Sequence, residues 1–195
     1  MDRRRVGIAL YNSGRYLAAH EPLEALWLTE PADARDDCLQ GLIQASAAIY
    51  KARIENDSGA VGLAESAVEY LSECRDIPVD ALIRWLERLA EDPSLINRER
   101  PPELTLDGDA TDVRELAGAE VLLAGEAVAE TGGDELLESA LAYVEKDIKG
   151  DGGRTPLVTL VVDYINEPSP IVRQRLRERV DRRQTRDSDV EGLFK

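Results

Sequence analysis

The sequence predicts an all-α protein, a multi-helical bundle built from antiparallel helical hairpins with a helical C-terminal extension. Three observations predict it. Apolar residues recur at i, i+3 and i+4 through most of the chain, and Gly, Pro and Asn clusters interrupt that rhythm at helix-length intervals. Only one segment has marked strand character, and no second convincing strand could pair with it. At 195 residues the chain can bury one sizeable core, or a core plus an appendage.

Taken in order, Val6, Ile8, Leu10 and Tyr11 form a first apolar stripe that ends at the turn cluster Asn12-Ser13-Gly14. Tyr16, Ala19, His20, Leu23 and Trp27 then recur at helical spacing, which makes the opening a helical hairpin. Pro22 lies inside the second helix, so a kink or a restart is expected there. A third helix spans about 36–55 and a fourth about 60–74, joined by the turn Asn56-Asp57-Ser58-Gly59. Folding one back on the other brings Cys38 level with Cys74. Free buried thiols are expected even so, because a disulfide needs favourable Cβ geometry and an oxidising compartment.

A fifth helix runs from about Pro78 to Glu91. Residues 93–111, punctuated by Pro93, Pro101, Pro102 and Asp107-Gly108, are expected as a linker. Asp112-x-x-Glu115 has the form of a capping box opening a helix to Glu130, and Gly132-Gly133 stops it. Leu137, Ala140, Leu141, Val144 and Ile148 mark the next helix. The β-branched segment Thr155 to Ile165 suits a strand by composition and a helix by its Thr-Pro opening; lacking a partner strand, it is assigned to helix. Ser169-Pro170 opens a last helix to about Arg183, followed by a polar tail. The expected organisation is a hairpin domain over 1–92, a linker over 93–111, a helical extension over 112–184 packed on the first domain, and a mobile tail over 185–195.

The densest cluster of special residues is Gly14-Arg15-Tyr16, Ala19-His20-Glu21, Glu24 and Trp27, with Gln40-Gly41-Leu42-Ile43-Gln44 a short way on. It resembles the domain-of-unknown-function 309 family, whose pattern reads roughly Gly-x-Tyr/Phe-x-x-Ala-His-Glu-x-x-Glu-x-x-Trp, then Gly-Leu-Ile-Gln and a helix ending near Tyr. The resemblance covers about residues 5–75. It implies an all-helical fold and, because the family has no established activity, no particular chemistry.

Acidic residues outnumber basic ones 39 to 24, for a net charge of −15, and the only lysines are Lys51, Lys146, Lys149 and Lys195. Such a surface stays hydrated in high salt and repels itself in low salt, as suits a halophile's cytoplasm. No apolar run reaches the length of a membrane span and no secretory leader is evident, so a cytoplasmic, membrane-free protein is expected. With two distant cysteines and one histidine, neither a zinc knuckle nor a disulfide scaffold is indicated.

His20 and Glu24 are neighbours on a continuous helix, with Glu21 beside them, and an imidazole with one or two carboxylates is the start of a divalent metal site. A catalytic zinc wants three protein ligands, and Glu24 stands where the zincin signature needs a second His. Glu65 or Glu69 would have to complete the set. The alternative is a polar knot of His20, Glu21, Glu24, Gln44, Tyr16 and Trp27 that fixes helix register, with the Gln44 amide closing the network. This favours a non-enzymatic interaction or scaffold module, without a cofactor, that pairs with a protein or a second copy. Its rival is a metal-dependent hydrolase using His20, Glu21 and Glu24, with Gln44 positioning the substrate.

Charge is also unevenly placed. Residues 101–151 hold fourteen acids against Arg114, Lys146 and Lys149, whereas Arg173, Arg175, Arg177, Arg179, Arg182, Arg183 and Arg186 crowd a segment whose only acids are Glu178 and Asp181. That basic helix could dock phosphates, or lie across the acidic middle of its own chain or a sister subunit. The second reading is favoured, and nucleic acid is not the expected partner, because the net charge repels a polyanion.

Overall fold

A computed structural model describes residues 2–151 and 155–192. Nine α-helices occupy these residues: α1 Arg3–Asn12, α2 Tyr16–Trp27, α3 Asp37–Arg53, α4 Asp57–Leu71, α5 Asp80–Glu91, α6 Ala119–Gly132, α7 Glu135–Asp151, α8 Pro156–Asn166 and α9 Pro170–Gly192. Two-residue strands β1 (Thr105–Leu106) and β2 (Asp109–Ala110) pair antiparallel as a small hairpin. The chain divides into two compact units, Asp2–Asp112 and the part from Val113 onward.

In the first unit α1 packs on α2, α2 on α3, α3 on α4 and α4 on α5. The sequence permits this because small residues stand where helices meet. A Cβ on Gly7 would fall 2.5 Å from the Leu23 side chain, and one on Gly41 would fall 2.7 Å from Leu71 Cγ and 3.0 Å from its backbone nitrogen. α2 runs through Pro22 without restarting. α4 begins earlier than the sequence suggested, because the Asn56 side chain accepts from the Gly59 amide and caps it.

The thiols are not free. Cys38, in the first turn of α3, is bonded to Cys74, just past the end of α4, with their Cα atoms 4.5 Å apart. The hairpin register brings the two backbones within bridging range, as the spacing predicted, and the bond itself corrects the expectation of free thiols.

Residues 93–111, expected as a linker, fold onto the first unit. Pro93–Asn97 form a 3-10 turn that buries Leu95, and Leu104 is buried as well. The Asn12 side chain holds the β-hairpin at its base: it donates to Leu104 O at 2.8 Å and Thr111 O at 3.0 Å, and accepts from the Leu104 amide at 2.8 Å. An amide with both donors and its acceptor engaged ties this segment down as a strand ladder would.

Asp112-x-x-Glu115, where the first unit ends and the second begins, does not open a long helix. Val113–Glu115 make one 3-10 turn, and α6 starts only at Ala119 after Gly118, whose φ of 55° leaves the helical region. α6 packs on α7 and α8, while α8 and α9 pack on each other and on α7. Thr155 caps α8 by accepting from the Val158 amide, and this helix resolves the ambiguous β-branched segment. α9 continues to Gly192, so residues 185–192 are helical where a mobile tail was expected; 193–195 lie outside the described residues. No helix among the described residues is long and apolar enough to cross a membrane.

Candidate functional site

Much of the Gly-x-Tyr…Trp cluster is architecture. Gly14 adopts φ 73°, a conformation that favours glycine, and its carbonyl accepts from Arg53 Nη1 at 2.8 Å. The same guanidinium lies over the Tyr16 ring, 4.4 Å from its centroid, and Tyr11 meets Tyr16 edge-on at 5.1 Å. Burial pushes the Tyr11 phenol well above its ordinary range, with Tyr16 adding to the effect. Burial raises Tyr16 too, against the pull of Arg53 and Arg100. Tyr16 thus serves the α2–α3 junction and not the histidine.

What this packing leaves over is a half-buried stripe on α2: His20, Glu24 and Trp27, at i, i+4 and i+7. His20 Nδ1 lies 3.7 Å from Glu24 Oε2, with the two side chains 27% and 44% exposed. That contact is ionic only when the ring is protonated. Beyond it the Arg35 guanidinium covers the Trp27 ring at 4.0 Å from the centroid, while Arg35 Nε is buried without a hydrogen-bond partner. The loop carrying Arg35 is tied back in turn: Glu30 accepts from the Asp36 amide at 2.8 Å, and Arg4 pairs with Asp36 at 2.8 Å.

Two expected members of the cluster are not joined to it. Gln44 Oε1 is buried with no hydrogen-bond partner, so its amide does not close a network with the imidazole. Glu65 and Glu69 sit on the exposed face of α4, which packs on α3 and α5. Among the described residues no group of three His, Cys, Asp or Glu side chains converges as a metal site. Arg35 is the neighbour that sequence reasoning missed; the signal available was a lone arginine in an acidic loop a few residues past a tryptophan.

The basic helix is anchored within its own unit. Asp134 caps α7 through the amides of Leu136 and Leu137, and its carboxylate also takes the Arg173 guanidinium at 2.7 Å and the Tyr164 hydroxyl. Asp147, near the other end of α7, accepts Arg183 on both oxygens at 2.9 Å and the Thr155 hydroxyl at 2.6 Å. Burial opposes ionisation of both aspartates, yet the hydrogen bonds from Arg173 and Tyr164 on one, and from Arg183 and Thr155 on the other, hold each below its ordinary value. The pairs follow the same order along α7 and α9, so these helices run parallel.

Fold and stripe together define an all-helical protein with a one-histidine polar cluster on the edge of its first hairpin. Residues 5–63, within the first unit, match the family described as Domain of unknown function (DUF309). No curated protein and no solved structure matches the chain.

Proposed function

We propose that the protein is a non-enzymatic interaction module whose first unit docks a second copy through the outer edge of α2. The observation that carries this reading is the α2 stripe itself. Its Trp27–Arg35 pair is built from side-chain types that dominate interface energies, and Leu28 beside it is 56% exposed. His20 and Glu24 then act as architecture, holding the stripe's polar half in place.

Sedimentation in molar salt, where the self-repulsion of a −15 chain is screened, tests the proposal. A concentration-dependent dimer that Leu28→Glu abolishes is expected; a wild-type chain that stays monomeric at every concentration overturns it. The rival reading, a metal-dependent hydrolase using His20, Glu21 and Glu24, draws its support from the 3.7 Å imidazole–carboxylate contact. Metal analysis of the purified chain with a His20→Ala control separates the two: stoichiometric metal that disappears in the variant favours the hydrolase.

The acid excess and the scarcity of lysine support a salt-rich cytoplasm as the working environment. The Cys38–Cys74 bond pulls the other way, since structural disulfides are rare in reducing cytosol. Thiol labelling of protein quenched inside its cells decides between them, and unlabelled cysteines would move the protein to an oxidising compartment.

A further inference from the structure

The far half of α9 is the least explained part of the second unit. In a chain of net charge −15, Arg179, Arg182, Arg183 and Arg186 line one concavity of about 430 Å³, with Asp147 the one acid among its described lining residues. At about 100° per residue these four positions fall within a sector of about 100° on the helix, so their side chains converge.

Asp147 does not neutralise that concavity. Both its oxygens are taken by Arg183, and one also accepts from Thr155, which fixes Arg183 in place at the cavity wall. Arg182 folds back on its own helix, with Nε on the Glu178 carbonyl at 2.9 Å. Arg179 lies in the field of Asp147, but neither it nor Arg186 makes a hydrogen bond or ion pair among the described residues. One guanidinium is therefore pre-set and two are uncommitted around a shared space. Planar guanidinium forks of this kind match the paired oxygens of a phosphate. The volume is that of a small-ligand pocket and does not suit a duplex. Repulsion from the acidic remainder of the chain fades beyond a Debye length of about 8 Å at physiological salt.

We infer that the concavity formed by Arg179, Arg182, Arg183 and Arg186 binds a small, multiply charged phosphate ligand of the diphosphate or triphosphate class. Four cations against one anion among the described lining residues suit a ligand carrying several negative charges and not a monoanion. The site lies in the second unit and does not depend on what the α2 stripe does.

Calorimetric titration of the full chain with inorganic tripolyphosphate tests this, using wild type, Arg179→Gln/Arg186→Gln and Arg177→Gln. Arg177 is exposed and lies about 160° round the helix from Arg179, so it controls for charge alone. Saturable binding to one site is expected, weakened about tenfold or more in the double variant and nearly unchanged in Arg177→Gln. A nucleoside triphosphate binding as tightly as tripolyphosphate supports recognition of the phosphate chain, and tighter nucleotide binding adds a base contact to the same site. No saturable heat at about ten millimolar tripolyphosphate overturns the inference, as does an equal loss in Arg177→Gln. A short DNA duplex that outbinds tripolyphosphate also overturns it, in favour of a polymer read by all of α9.

Discussion

Where α3 meets α4 in the first unit, a glycine lets two backbones close on each other and a disulfide pins their ends; where α7 meets α9 in the second, two aspartates each hold an arginine. Close apolar contact and a covalent tie are indifferent to protons and largely to salt. Aspartate–arginine pairs are not. The two halves of one acidic chain should therefore answer differently to reduction, to acid and to single substitutions.

The largest difference should come from the cysteines. Cys38 and Cys74 are 36 residues apart, and in the chain-entropy account opening a loop of that size costs about 3–4 kcal/mol. Replacing both with alanine should therefore accelerate hydrogen exchange through α3 and α4 by orders of magnitude while amides of α7 to α9 hardly change. Equal acceleration in both units would show that the disulfide does not brace the first unit selectively.

Asp147→Ala should do the converse. It leaves the Arg183 guanidinium and the Thr155 hydroxyl without their acceptor, a loss of about 2–3 kcal/mol that denaturant melts should show confined to the second unit. Gly41→Ala comes next. Its new methyl meets Leu71 at side chain and backbone, so an overpacking cost of about 1–3 kcal/mol is expected in the first unit, with the disulfide still formed.

Acid sharpens the contrast most gently. Asp134 and Asp147 are held below their ordinary value in the folded chain, so their contribution is fully present above about pH 4 and is lost as the pH falls through the lowered values. The second unit should thus loosen first on acidification, as unit-resolved exchange would report. The first unit's lowered carboxyls, Asp92 and Glu99, are on the surface and add little. An acid transition that strikes α1 to α4 first would contradict the assignment.

Periodicity and punctuation made most helices legible, and the α3–α4 register made the meeting of Cys38 and Cys74 legible too. They failed where a side chain acts at long range. Nothing local in Asn12 says that it will hold a hairpin some ninety positions away, so residues 93–111 read as a linker. Gly118 defeats the capping pattern before it for a backbone reason that composition does not carry. The site was legible in part: His20, Glu24 and Trp27 share a face by spacing alone, whereas the detachment of Gln44 and the arrival of Arg35 depend on how neighbouring segments pack.

By itself the sequence determined the all-helical class, the α2 stripe and the contrast between an acidic middle and a basic last helix, because those follow from repeat period and charge order along one chain. Only the tertiary structure decided that the cysteines bond, that Asp134 and Asp147 bind Arg173 and Arg183, and that other arginines remain to line a cavity. Such pairings join residues far apart in sequence, and their partners are chosen by the three-dimensional approach of helices, which no local pattern encodes.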